Sequence, residues 1–340
     1  MASTANTGRT WSRRSWLAGG AALAAAGCAS AGGSKRGRKP VALTPMLYYL
    51  GAAKVFALNP EGGAPVVLHD ATPTDGSRPR GVNDGIAIDL DGGHIYWTNM
   101  GRAEDRDGSI HRCNLDGGEP TVIVPPGAGA WTPKQLKLDA AHGKLWWADR
   151  EGMAIMRCNL DGSKIEAMIR IGDPVTYKGD ETLWCVGIAL DPARGQIYWT
   201  QKGGDNAGQG RIRRAAMEVP RGSHPSRRDD IETLFARLPE PIDLDLDLTT
   251  RRMYWTDRGD DTVNRAPMDA GDDYDPARRA DREVLVTGVR DAIGVSLDLK
   301  RGRMAYTSLH GEVGVSGLDG GGATMLASGQ GLLTGVTWLG

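Results

Sequence analysis

Two short segments carry charge inside an otherwise alternating apolar pattern. "PIDLDLD" (241–247) spaces Asp243, Asp245 and Asp247 two residues apart, and "PKQLKLD" (133–139) presents Lys134, Gln135 and Lys137. Side chains of a strand alternate with a period of two, so the three aspartates share one face. An unpaired charge on a buried strand is costly, and two chemistries follow. In one, Lys137 and Asp245 meet in a water-filled channel and neutralise each other. In the other, Gln135, Lys137, Asp243 and Asp245 line a polar pocket for a small ligand or a hard cation such as Ca2+, which favours carboxylate and amide oxygens. No complete ligand set for a metal is visible.

Other residues add to this set. Asp149–Arg150 and Asp257–Arg258 follow similar aromatic segments. The aspartates read as acceptors for turn amides, and Arg150 and Arg258 as projecting groups that bind. Trp131 and Trp184 precede apolar strands; each either packs or stacks on a sugar ring or planar group. His310 is the histidine placed for acid–base work. His69, His94, His111, His142 and His224 are scattered without metal-ligand spacing. Nucleophile-elbow, Walker, dinucleotide-binding and His-Glu-x-x-His motifs are absent from the sequence.

The elements that must position these residues recur along the chain. Aromatic tetrads begin at Tyr48, Tyr96, Trp146, Tyr198, Tyr254 and Ala305, spaced 48, 50, 52, 56 and 51 residues apart. Seven residues before each of the last five stands an aspartate: Asp89, Asp139, Asp191, Asp247 and Asp298. An apolar strand ends at each of these, and a short turn leads into the aromatic strand. The aspartate suits a hairpin, because it accepts hydrogen bonds from turn amides. A third strand ends in "NLDGG", "NLDGS" or "GLDGG", and a fourth follows. Four short strands per unit of about 50 residues mark the blade of a β-propeller. Two residues before the aspartate the units carry Ala87, Lys137, Ala189, Asp245, Ser296 and Thr337. Four before it they carry Gly85, Gln135, Gly187, Asp243, Gly294 and Gly335.

The tetrads and the "NLDG" turns resemble the YWTD repeat, the class B repeat of low-density lipoprotein receptors, over residues 46–340. The tetrad is intact only at 254–257, and the first and sixth copies are degenerate. That family forms six-bladed propellers, so the resemblance implies an all-β, six-bladed ring of four-stranded antiparallel blades in one domain. The first tetrad lacks the upstream aspartate, since Val41 holds its place, and the chain ends "GVTWLG", which matches an inner strand. The C-terminal strand is therefore expected to complete the first blade and leave no open inner edge. By analogy with the family, the face formed by the loops after each second strand and before each inner strand binds ligands. The insertions at 220–230 and 269–283 open on the other face and read as solvated decoration or a protein contact.

Two functions of different class are compatible with this organisation. One is a binding or interaction module for a protein, glycan or small ligand. The other is an exported enzyme, a lactonase, hydrolase or lyase, working at the mouth of the central channel. Other six-bladed propellers are lactonases with a channel-mouth calcium, but the Glu-Gly-Pro opening of their first inner strand is missing here.

Composition bounds the rest. The chain has 340 residues, net charge −1 and 24% charged residues, so nothing points to nucleic acid. "SRRSWL" (12–17), with Arg13 and Arg14 before a weakly apolar run, resembles a twin-arginine export signal over 1–31. "AAGC" resembles a lipobox that would lipidate Cys28, the one expected route to a membrane; cleavage after "ASA" (29–31) is the rival processing. Residues 32–45 read as a flexible tether. The expected place is the periplasm or cell envelope, and the expected state a monomer. Cys113, Cys158 and Cys185 are odd in number, and the two in equivalent repeats are too far apart to bridge, which leaves buried thiols.

Overall fold

A computed structural model describes residues 46–271 and 274–339. The expected signal region (1–31), Cys28 and the tether lie outside the described residues. Among those described, the strands form six antiparallel sheets of four. The first blade joins Leu333–Leu339 to Met46–Gly51, Lys54–Leu58 and Val66–Asp70, with Leu47 opposite Trp338 and Tyr48 opposite Thr337. The other inner strands are Asn83–Asp89, Pro133–Asp139, Cys185–Asp191, Pro241–Asp247 and Ala292–Asp298. Each inner strand packs against the next all the way round, and the C-terminal strand closes the ring between blades six and two.

The tetrad strand lies between two neighbouring blades, so its side chains are buried on both faces. Tyr254 and Trp255 are adjacent, and both are buried. Its threonine has a further task. The Thr98 hydroxyl accepts from the Gly85 N–H at 2.8 Å and donates to the Lys134 carbonyl of the next blade at 2.8 Å. Thr200 repeats this between Gly187 and Ile242, Thr256 between Asp243 and Ile293, and Thr307 between Gly294 and Thr334. Leu50 and Ala148 hold this place in blades one and three. From blade one, the Thr334 hydroxyl instead donates to the Asn83 carbonyl at 2.8 Å.

These links draw the inner strands together, and the glycines four residues before the aspartate follow from that closeness. A Cβ on Gly85 would lie 2.4 Å from the Leu136 nitrogen, and one on Gly187 would lie 2.2 Å from the Ile242 carbonyl oxygen. The repeated aspartates cap the hairpin turns as expected: Asp89 accepts from the Gly92 N–H at 2.8 Å, and Asp247 from the Thr249 N–H at 2.9 Å and the Thr250 N–H at 3.0 Å. Cys113, Cys158 and Cys185 are buried free thiols.

The two insertions are largely exposed, as expected of solvated segments, but each also makes contacts that the sequence did not show. Arg228 is fully buried and donates to the Met168 carbonyl of blade three at 3.0 Å, while the Arg170 N–H donates to the Pro225 carbonyl at 2.8 Å. In the next blade Arg279 donates to the Leu234 and Pro267 carbonyls, and the Ala236 N–H donates to the Pro276 carbonyl at 2.8 Å. Each insertion caps the outer edge strand of the preceding blade, satisfying backbone groups that would otherwise face solvent.

Thr256→Val keeps the shape of the side chain and removes one donor and one acceptor from a dry seam. It should cost about 2 kcal/mol in chemical denaturation, and Thr256→Ser should restore most of that loss. Equal stability of the valine variant and the wild type would show that the link contributes nothing.

Candidate functional site

Each inner strand carries a β-bulge near its start, as in the shift of register between Asn83 and Ile86. The residues five before the aspartate therefore face the axis at the loop-bearing end, and those two before it face the axis at the opposite end. The channel has two chemically different mouths.

The upper mouth is a recess of about 180 Å3 whose walls include Asp84, Lys134, Arg150, Lys202, Glu240 and Arg258. Lys134 pairs with the buried Asp84, and Gln135 donates to the same carboxylate at 3.1 Å. Burial pulls Lys134 below the ordinary lysine range; Asp84 resists this and the Arg150 cation adds to it. Lys202 meets Glu181 and Asp205 at 3.0 Å and Glu240 at 3.1 Å. These carboxylates, Glu181 foremost, overcome the burial that opposes its charge and hold it above its usual range. Arg258 reaches Asp205 at 2.7 Å and Glu240 at 3.1 Å. Arg150 pairs with Glu151 at 2.6 Å and lies 4.9 Å from the Trp184 ring centre.

Asp84, Lys202 and Glu240 belong to this mouth and were missed in the sequence. Lys202 was open to discovery there, because it follows its tetrad just as Arg150 and Arg258 do. The tetrad aspartates are structural. Asp149 accepts from the Trp131 and Thr132 amides at 2.8 Å, and Asp257 accepts from the Glu240 amide at 2.8 Å. Burial and the nearby Asp260 push Asp257 up to about 7.

The lower mouth is a cavity of about 460 Å3 that includes Lys137, Asp245, Ser296 and Thr337. Lys137 and Asp245 approach to 3.5 Å, each about one quarter exposed. Burial opposes the charge on Lys137, but Asp245 and Asp243 outweigh it and raise its pKa. Asp243 and Asp245 share a face, as the period of two requires, and that face turns toward blade six. Asp243 accepts from the Leu244 N–H at 2.8 Å and the Val295 N–H at 3.0 Å, so it ties two inner strands together rather than lining a mouth. Burial pushes its carboxyl up to about 7, against the pull of Lys137 and these two amides.

The remaining candidates sit around the upper face. The His310 ring donates to the Asp291 carboxylate at 3.0 Å in a depression that adjoins the upper mouth, with Arg258 and Glu240 lining both. Trp131 and Trp184 line a second recess of about 180 Å3 together with Ala103, Met153, Pro174, Glu104, Glu151 and Lys178. A resident Ca2+ does not fit either channel mouth. The carboxylates there face lysine or arginine, as Asp84 does Lys134 and Asp245 does Lys137, and no cluster of three metal-binding side chains occurs among the described residues.

Between pH 4 and 7 folded Asp243 keeps a proton that the unfolded chain, with a carboxyl near 3.9, has lost. The folded state then binds more protons, so this group makes stability fall as pH rises through that window. Asp243→Asn removes the slope. The stability of the wild type relative to this variant should fall by about 3–4 kcal/mol from pH 4 to pH 7.5 in urea titrations; parallel curves would exclude the shifted carboxyl.

No protein-family model matches the chain. It is 38% identical over 274 residues to "Low-density lipoprotein receptor-related protein 1" of Pyricularia oryzae, covering 78% of this chain and 87% of that protein. It is 37% identical over 246 residues to "3-hydroxyacyl-CoA dehydrogenase-like protein LAM1" of Cochliobolus heterostrophus, covering 70% of this chain but only 52% of that protein. Among solved structures, a chain of the nidogen/laminin complex aligns with a TM-score of 0.62 at 20% identity, over 86% of this chain and 98% of its own length. That likeness is one of fold.

Proposed function

The chain belongs to the family of the Pyricularia oryzae low-density lipoprotein receptor-related protein 1, and from that premise we propose that it is a binding module that docks a protein partner on its loop-bearing face. The observation that carries this reading is the recess between Trp131 and Trp184. Its mainly apolar lining with a few charged residues suits an interface anchor point, where one side chain of a partner is buried at the centre and polar groups surround it. Val175 (64% exposed) and Tyr177 (50% exposed) extend apolar surface from the loop beside it. Both tryptophans are contacted by neighbouring groups. The Trp131 indole N–H donates to the Ala103 carbonyl at 2.7 Å with the Arg106 guanidinium 4.0 Å from the ring, and Trp184 is flanked by Arg150 and Lys202. Rigid aromatic walls lose little entropy when a partner docks.

The nidogen/laminin complex supports the reading, because a chain of the same fold takes part in a protein complex there. An enzymatic reading of this face would start from His310 and Asp291. Binding is favoured because the ionisable groups of the upper mouth already hold counter-charges, whereas the tryptophan recess is apolar.

Selection of a displayed-peptide library against the chain should yield binders with an aromatic or branched aliphatic anchor. Trp184→Ala and Tyr177→Ser should each weaken them tenfold or more, with the thermal midpoint of the half-exposed Tyr177 variant unchanged. Binders indifferent to both substitutions would place the docking surface elsewhere.

The same proposal sets the module at a bacterial cell envelope, exported by the twin-arginine route and anchored through Cys28. This part rests on the sequence of residues 12–28. Expressed in a bacterium with that route, the chain should incorporate a fatty-acid probe, and Cys28→Ala should abolish the label. Labelling that survives the substitution would refute the anchor.

A further inference from the structure

The lower cavity, at the opposite end of the channel from the tryptophan recess, has the size of a small-molecule site. Of the residues at this level that line it, three are too short to fill it: Ala87, Ser296 and Thr337. The other two, Lys137 and Asp245, come from blades three and five, which are not neighbours, and they meet at 3.5 Å. That separation is longer than a formed N–H···O hydrogen bond.

Asp245 has a structural task, accepting from the Leu246 N–H at 3.1 Å and the Leu297 N–H at 3.0 Å. Lys137 has no such task. Among the described residues its ammonium reaches only Asp245. A pair of this kind is weak evidence for stability, since replacing both partners by apolar residues is often neutral or stabilising. The Lys137 ammonium is thus available to a molecule that enters the cavity.

The pair carries no net charge; of the other charged residues that line the cavity, Asp298 is held by Arg301 and Arg303 and Lys300 stands exposed in the turn. A charged ligand would leave one charge uncompensated in a half-buried place. Two adjacent hydroxyls solve the problem: one O–H donates to Asp245 while the neighbouring oxygen accepts from Lys137. The Ser296 and Thr337 hydroxyls on the same wall both donate and accept, and so match further hydroxyls. We propose that the lower cavity binds a neutral vicinal diol of monosaccharide size, clamped between Lys137 and Asp245. The site stands apart from the protein-docking recess, and either can fail alone.

The test is saturation-transfer NMR on the full chain. D-glucose, D-galactose, D-mannose and myo-inositol are the neutral diols; glycine and D-glucuronate are the zwitterionic and anionic controls. At least one neutral diol should bind, and both controls should be at least tenfold weaker. Lys137→Met should lose binding at least tenfold with an unchanged thermal midpoint. Ser296→Leu, which fills the cavity and leaves both charges in place, should lose it equally. If Lys137→Met does not fold, Ser296→Leu and Asp245→Asn decide the matter. Binding by none of the four diols, preference for glycine or glucuronate, or undiminished binding in the folded variants would overturn the proposal.

Discussion

The ring rests on one bifunctional group, the hydroxyl of the tetrad threonine. It accepts an amide of its own inner strand and donates to a carbonyl of the next, so one side chain satisfies two backbone groups that the bulge removes from the sheet ladder. Four blades use it, and blade one substitutes Thr334. The seam after Ala148 has no such link and relies on apolar packing of Trp146, Ile188 and Trp199. Inner strands held this closely cannot drift apart. The channel therefore keeps a defined width, and the few residues facing it are fixed in place.

That closeness also explains the charged inner strands. Where a unit lacks glycine four residues before its aspartate, the replacement is used as a tie. Gln135 turns back to Asp84, and Asp243 forward to the Val295 amide. Burial of Asp243 raises its pKa until the carboxyl titrates near neutrality. Asp245, two residues on, makes the corresponding tie to Leu297 but keeps one side open to the cavity, where Lys137 finds it. Two aspartates of one face thus differ in role because one level of the channel is closed and the next is open.

The ends of the channel are consequently unlike each other. At the loop-bearing end, Glu240 gathers Lys202 and Arg258 and the network satisfies itself. The apolar recess of that face lies instead around Trp131 and Trp184. At the other end small side chains leave space around a neutral pair. The two swollen insertions stay clear of both, their buried arginines spent on the edges of blades three and four.

The sequence by itself determined the blade count, the hairpins, the capping aspartates and the closing strand. These depend on short-range periodicity repeated many times, and each copy confirms the others. It also held signals that went unread. Arg228 and Arg279 stand in matching segments, "PSRRDD" and "PARRAD", and Lys202 occupies the place of Arg150 and Arg258. Only the tertiary structure decided which charges meet. The bulge brings residues both five and two before the aspartate to the axis, against a strict period of two, so the grouping of Lys134 with Asp84 was hidden, while the meeting of Lys137 with Asp245 stood in the sequence only as one of two alternatives. Those partners lie in different blades, and their distance depends on how the closed ring turns each inner strand, which no local pattern records.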